Sequence, residues 1–460
     1  MILFHRLFPI VALFSAASFA NPWTDAGTTI SNTGNVSVSG TITGNAVQGG
    51  GVFSVAAYGA ATSRTDNSVQ FQNALNAAEV GPDGGTVLVP PGVYRFTSGI
   101  RIPAGVTLKG SWNAPHDGYN NVGSVLSVMT PGGPITATGF ITMNNNSTFC
   151  GFTVVYPGLY KSVSGGTEYP YTIRGVFAPS LPGSGGTSVT IENVTIANCF
   201  RGIELSLPHT GHLIKNVNIS TLTMGVYIDN NTDVGRIENL HIHNKFWWTA
   251  GNLTQSEQDL LKAQTMSTMV GMRFGRTDWE FVTGSFVIWA NTGIWLDYFG
   301  TATPIPLPLA NIMFTNGGVD ESDIAVFVGR CIKTLGIGFN NYQFGAPMQI
   351  SGNNEGPVKI NNSNFINLIG KYPYLIAKYD VGTLMVSNTT FYNWPTLAID
   401  ANAGVTVING GDFNKTVAGG TAVKSTNAGT YVSVTGSRLR VNGLTAASNG
   451  TITGSNNIAH

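Results

Sequence analysis

Along most of the 460-residue chain, short runs alternate apolar with polar residues, and Gly or Asn punctuates them. A two-residue alternation predicts strands with one buried face. The runs recur. One strand type starts at Gly202 (GIELS), Gly225 (GVYID), Gly271 (GMRFG) and Gly293 (GIWLD), at steps of 23, 46 and 22 residues. Later members lie at Ala325 (AVFVG), Met348 (MQIS), Leu397 (LAID) and Ala422 (AVKS). A second phrase sets Asn or Gly before an apolar alternation, at Asn193, Asn216, Asn239, Gly284, Asn341, Asn362 and Asn388. A period near 23 suits coils of three short parallel strands and three turns. One such coil cannot bury its own inner face, so coils must stack. The 46-residue step reads as two coils. The recurring Asn residues predict a ladder in which each amide bonds its equivalents above and below.

The chain begins differently. His5 and Arg6 precede an apolar run over residues 7–14, and Ser18-Phe19-Ala20 fits a cleavage site, so residues 1–20 read as a signal peptide and the mature protein as secreted, with no membrane anchor left. Residues 21–52 are a Gly-, Ser- and Thr-rich lead-in. From Phe53 a strand leads to a helix capped by Asp66 and carrying Val69, Phe71, Leu75 and Ala78. Two segments depart from the repeat. Thr254-Gln255-Ser256-Glu257 is a capping-box pattern that opens a helix through Gln264, and residues 303–309 form a Pro-rich loop. The solenoid is assigned to residues 53–445 and a tail to 446–460.

Composition narrows the partners. Charged residues make up 10% of the chain and the net charge is zero, which leaves no basic excess for nucleic acid. The three cysteines, Cys150, Cys199 and Cys331, each sit beside an apolar residue and read as small buried hydrophobes.

Residues 55–112 hold the phrases GGTVLVPPGVY (84–94) and GVTLKG (105–110). This stretch resembles the opening segment of the pectate-lyase superfamily, in which a helix caps one end of the solenoid. The resemblance implies an all-β chain folded as a single-stranded right-handed parallel β-helix with an N-terminal capping helix. That scaffold is shared by lyases, hydrolases and viral tailspikes, so it leaves the reaction open.

Alternation places Glu204, Tyr227, Arg273 and Trp295 in one outward column and Ser206, Asp229, Gly275 and Asp297 in the next. Aromatic rings, a guanidinium and carboxylates on one strip suit a sugar chain. The phrases at 231–239 and 276–284 align without gaps, so Asp233 and Asp278 occupy equivalent positions. Two coils of separation would hold their backbones about 9–10 Å apart, which suits the acid and base of an inverting glycosidase. Glu280 is the reserve carboxylate. The other reading of this pair is two turn aspartates that bond local amides. Arg236, Arg273 and Arg276 would orient hydroxyls or a uronate, and Tyr227, Trp295 and Trp248 would offer sugar platforms. His241 and His243 share a strand face, but two histidines are too few to assign a metal. The acidic run at 320–323 reads as a turn.

The phrases DVGRIENLHIHN (233–244) and FGRTDWEFV (274–282) resemble those of pectate-lyase-like and polygalacturonase-related bacterial proteins. Asn231-Thr232-Asp233 matches the first polygalacturonase motif, while the Asp-Asp, Gly-His-Gly and Arg-Ile-Lys motifs of that family are missing. The expectation is a cofactor-free glycoside hydrolase acting on an extracellular polysaccharide, as a monomer or homotrimer. A polysaccharide lyase, with calcium and a base such as His241, is the runner-up. A glycan-binding, tailspike-like protein without turnover is the third reading.

Overall fold

The computed structural model describes residues 51–79, 84–115, 118–119, 121–164, 166–177, 187–298, 309–415, 419–439, 444–446 and 450–459. The segment read as a signal peptide, nearly all of the lead-in and most of the Pro-rich loop lie outside these residues. The described chain is a right-handed parallel β-helix. Its strands pair in parallel with the strands one coil before and one coil after.

Each coil contributes to three sheets. The first sheet holds the Gly-initiated strands, such as Val270–Phe274, Thr292–Leu296 and Ile324–Val328. The second holds Glu280–Thr283 and Leu309–Thr315, and the third Phe286–Ile288, Gly318–Asp320 and Asn364–Ile366. Glycine opens the first-sheet strands because the stack is tight there. A Cβ on Gly202 would come within 2.3 Å of the Gly225 carbonyl, and one on Gly225 within 2.4 Å of the Gly271 carbonyl. Between the second and third sheets the chain turns on one left-handed residue, with φ 56° at Asn193, 52° at Asn216 and 56° at Asn239. Asn tolerates this conformation. Its amide also bonds coil to coil: Asn216 donates to Asn193 at 2.9 Å, Asn239 to Asn216 at 3.0 Å and Asn341 to Asn316 at 2.8 Å. Gly284 takes the same turn without a side chain, which interrupts the ladder.

The core is the stacked interior of the coils. Phe344, Phe365, Phe391 and Phe413 form a column of parallel rings, with centroids 4.2, 5.3 and 4.7 Å apart in turn. The end of the stack nearest the N-terminus is covered by α1 (Ser68–Glu79), which buries Phe71, Ala74, Leu75 and Ala78. Val69 is 60% exposed and does not join that face. Asp66 accepts hydrogen bonds from the Ser68 N–H and hydroxyl and from the Thr97 N–H. Burial opposes its charge, but these bonds outweigh it and bring the carboxyl down to about 2. At the other end, Thr451–Ser455 and Ile458–Ala459 still pair with the preceding coil, so strands continue into the segment read as a tail.

The 46-residue step is not two coils. The Gly225 strand pairs directly with the Gly271 strand, Tyr227 opposite Arg273, and Gly235 lies opposite Glu280. The extra length leaves the stack between Ile242 and Val270, as α2 (Lys245–Ala250) and α3 (Gln255–Thr268). The capping box of α3 forms as predicted, between Thr254 and Glu257. All three cysteines are free; Cys199 and Cys331 are buried and Cys150 is half-buried.

Candidate functional site

The turns decide which face of the solenoid is elaborated. Second-sheet strands reach the third sheet through the single left-handed residue. The connections on either side of the first sheet are longer, including residues 156–170 and 243–269 before it and 229–234 and 275–279 after it. A solenoid that elaborates both borders of one sheet frames that sheet's outer face.

On that face the predicted columns form. Glu204, Tyr227, Arg273 and Trp295 lie opposite one another in successive coils. The Arg273 guanidinium lies between two rings, 4.7 Å from the Tyr227 centroid and 5.6 Å from that of Trp295. Glu204 takes an ion pair from Arg174 at 2.9 Å. Tyr227 and Trp295 also pack against Tyr171, Met224 and Val270, so the strip is a well-packed surface with little freedom. In the neighbouring column Asp229 is buried. Its Oδ1 accepts the N–H groups of Asn230 and Arg276, both at 2.8 Å, and its Oδ2 accepts the Tyr227 hydroxyl at 2.9 Å. Asp229 therefore pins two turns together rather than meeting a substrate. Gly275 is glycine because the Asp229 carboxylate occupies the place of its Cβ. Asp297 is half-buried. Burial raises its pKa, against the hydrogen bond from the Tyr298 N–H.

Asp233 and Asp278 sit where the first sheet turns into the second. Because the 45-residue offset spans one coil, their turns are adjacent, with Asp278 N–H donating to Asn231 O at 3.1 Å and Gly235 N–H to Trp279 O at 3.1 Å. The backbones are thus one strand spacing apart, about 4.8 Å, instead of the expected 9–10 Å. Asp233 is exposed and Asp278 half-buried. Beside them stand two aromatic residues that the sequence reading passed over. Trp279 is 51% exposed and Phe281 38%, with ring centroids 6.3 Å apart. Trp279 is held at φ 54°, a costly conformation for a bulky residue.

Glu280 does not share this exposure. Along its strand Phe281 and Thr283 point outward, so Glu280 and Val282 point into the core, and Glu280 is fully buried. Its carboxylate reaches past Gly235, whose Cβ would collide with it, to the coil beyond. There Glu280 Oε1 lies 3.0 Å from His212 Nε2, His212 Nδ1 lies 3.1 Å from His209 Nε2, and His209 Nδ1 lies 2.8 Å from the Leu207 carbonyl. The carbonyl can only accept, so His209 carries its proton on Nδ1 and accepts from His212 through Nε2. One proton is then left between His212 Nε2 and Glu280 Oε1. The other carboxylate oxygen accepts from Asn231 Nδ2 at 3.2 Å, and the same amide donates to Asp233 O at 2.8 Å. Glu280 is thus a buried brace for the Asp233 turn, and it is corrected from a reserve catalyst to that role.

The remaining residues divide between faces. Arg236 points outward from the second sheet, opposite Phe281, and half-buried Arg276 flanks Asp278. His241 and Trp248 do not join the Tyr227–Trp295 strip. His241 lies on the outer face of the third sheet opposite Phe286, with ring centroids 5.2 Å apart. Trp248 stacks on Trp289 at 5.0 Å. The acidic run is engaged locally. Asp320 accepts the Glu321 N–H at 2.9 Å, Glu321 takes Lys262 at 2.7 Å and Trp289 Nε1 at 2.8 Å, and Asp323 pairs with Lys371. Strand alternation could have revealed the inward Glu280, since Val282 shares its parity. Nothing in the sequence linked His209 and His212 to it across two coils.

Comparison with known proteins agrees with this architecture. Residues 52–150 match the family described as rhamnogalacturonase A/epimerase, pectate lyase-like, the segment in which the sequence resemblance lies. No curated protein matches the chain. Among solved structures it is similar to the A-module of the Azotobacter vinelandii mannuronan C-5 epimerase AlgE6, at 16% identity and TM-score 0.50, over 88% of this chain and 99% of that one. It is also similar to the N-terminal fragment of bacteriophage phi29 gene product 12, at 14% identity and TM-score 0.53, over 87% of this chain and 71% of that one. The Dettilon tailspike protein matches at 14% identity and TM-score 0.50, over 86% of this chain and 68% of that one. At these identities the likeness is one of fold. Among the described residues no helix is long and apolar enough to cross a membrane.

Proposed function

We propose that this chain, whose first coils are pectate-lyase-like, is a polysaccharide-cleaving glycoside hydrolase that works at the turn ledge carrying Asp233 and Asp278. What supports the reading is one juxtaposition: two accessible carboxylates on adjacent turns, beside the exposed Trp279 and Phe281 rings. Rings of this kind pack against the apolar faces of sugars, and Arg236 and Arg276 supply donors for hydroxyls. Carboxyl groups about 5–5.5 Å apart suit a retaining hydrolase. One strand spacing favours that spacing over the wider inverting one. Asp278, the more buried of the two, protonates the glycosidic oxygen while the Asp233 carboxylate attacks the anomeric carbon. Water, deprotonated by Asp278, then releases the sugar from Asp233, and the net change is the addition of one water. The sequence of residues 1–20 directs this chemistry to polymers outside the cytoplasm.

The test is incubation with a panel of polysaccharides and mass analysis of the products. Hydrolysis adds water to the fragments, whereas a lyase adds none and leaves an unsaturated end. Asp233→Asn and Asp278→Asn should each lower turnover at least 100-fold with the fold intact. Elimination products, or full activity in the double variant, would overturn the assignment. Binding without product from any glycan would favour a binding protein.

A further inference from the structure

The outer face of the third sheet holds a groove of about 620 Å³ that the hydrolytic reading does not use. It forms where side chains are missing from the outward columns. Phe286, Gly318, Gln343 and Asn364 succeed one another in one column, so Gly318 leaves a notch between a ring and an amide. In the next column Gly345 follows Asp320, with the Gly345 N–H bonded to the Val319 carbonyl, and leaves a second notch beside Ile366. Two glycines of the lining, Gly345 and Gly317, are crowded by their neighbours. A Cβ on Gly345 would come within 2.7 Å of Asp320 Oδ1, and one on Gly317 within 2.4 Å of the Ser285 carbonyl. A Cβ on Gly318 would meet Gln343 at 3.1 Å, a tighter fit than usual, so the stack disfavours filling the notch.

Its lining has a definite chemistry. Asn341 donates to Asn316 at 2.8 Å along one edge, and Asn364 donates to Gln343 at 3.0 Å along the floor. In each pair one NH₂ group and one amide oxygen are not used by the other member, and all four amides belong to the lining. A sugar hydroxyl, which donates and accepts at once, matches such alternating groups. Phe286, Ile366 and the 49%-exposed Leu368 provide apolar walls for C–H faces. Among the described residues Asp320 is the only ionisable group in the lining, and its Oδ1 already accepts the Glu321 N–H. No Lys, Arg or His among the described residues lines the groove, so none of them compensates a uronate, sulfate or phosphate there. Just beyond Phe286 the aromatic surface continues through His241, His243 and the stacked Trp248–Trp289 pair.

We infer that the third-sheet groove is a separate binding site for an uncharged glycan chain, laid along the solenoid axis from Phe286 to Leu368. It stands on different residues from the Asp233–Asp278 ledge, and either can be right without the other. A chain held here would keep the protein on a polymer while the ledge samples it.

The experiment is titration calorimetry of the full chain with neutral oligosaccharides (gluco-, xylo- and manno-oligomers) and with oligogalacturonate. At least one neutral series should bind, and oligogalacturonate should not compete for it. Phe286→Ala and Gln343→Ala point outward and should keep the unfolding midpoint, yet each should weaken neutral binding at least tenfold. The Asp233→Asn/Asp278→Asn variant should bind the neutral oligomer as the wild type does. Neutral binding untouched by Phe286→Ala and Gln343→Ala would overturn the site, as would the absence of any neutral ligand. A concentration-dependent dimer that Phe286→Ala abolishes would also overturn it and assign the groove to a second copy of the chain. Products in the polysaccharide panel report on the ledge alone, so failure of one site is not read as failure of the other.

Discussion

Glu280 shows how much one buried carboxylate can govern without touching a substrate. It is hydrogen-bonded to His212 and braces Asn231, whose amide holds the Asp233 turn. A glutamine can keep both contacts, because its oxygen can still accept from Asn231 while its NH₂ donates to a neutral His212. Glu280→Gln should therefore unfold in urea within about 1 kcal/mol of the wild type and retain catalysis. Glu280→Ala strands His212 and Asn231 and should cost about 1–3 kcal/mol, with the added loss of a buried side chain. Abolished turnover in a stable Glu280→Gln protein would return Glu280 to the catalytic set. His209 gives a pH signature. Burial, and then the proximity of His212, pushes its pKa down to about 3. Unfolded histidine takes up a proton below about pH 6.5, whereas the folded residue does so only near 3. The unfolded state thus binds more protons across that window, so this contribution to stability is complete above about pH 6.5 and is lost as the pH falls toward 3. Urea titrations at pH 7 and 4.5 should show the loss, and His209→Gln should lessen the difference between the two.

At the scale of the element, the repeat was legible because its causes are local. The Gly-initiated strands recur because stacked backbones leave no room for a Cβ, and the asparagines recur because a left-handed turn and an inter-coil amide bond are needed at one place. The insertion was misread for an equally physical reason. The excursion lengthens the step from 23 to 46 residues, one coil's worth of chain, so it has the spacing of a missing coil, and the capping box at Thr254 was the only sign that distinguished them. That misreading carried over to the site, where it doubled the separation of Asp233 and Asp278. The outward columns survived it, since strand alternation does not depend on coil count. The ladder itself can be tested. Asn216→Ala removes the bonds to Asn193 and Asn239 and places a Cβ residue without a side-chain amide at φ 52°. It should cost about 1–3 kcal/mol by thermal or urea unfolding. Asn216→Gly loses the same bonds but tolerates the turn, so it should be the milder variant.

For the molecule as a whole, hydrogen bonds between coils run along the solenoid axis while the covalent chain winds around it. A load applied to the two ends of the chain therefore meets one coil-to-coil contact at a time, as in pulling thread from a spool. Each coil of about 23 residues that leaves the stack should lengthen the tether by roughly 75–80 Å. The coil that carries α2 and α3 spends 46 residues between Gly225 and Gly271 on a single rung, and should release about twice that length in one event. Optical-tweezer extension should thus record a regular staircase with one tall step, and deleting residues 246–266 should restore an even one. A staircase with no such step would mean that the helices detach before the rung that bears them.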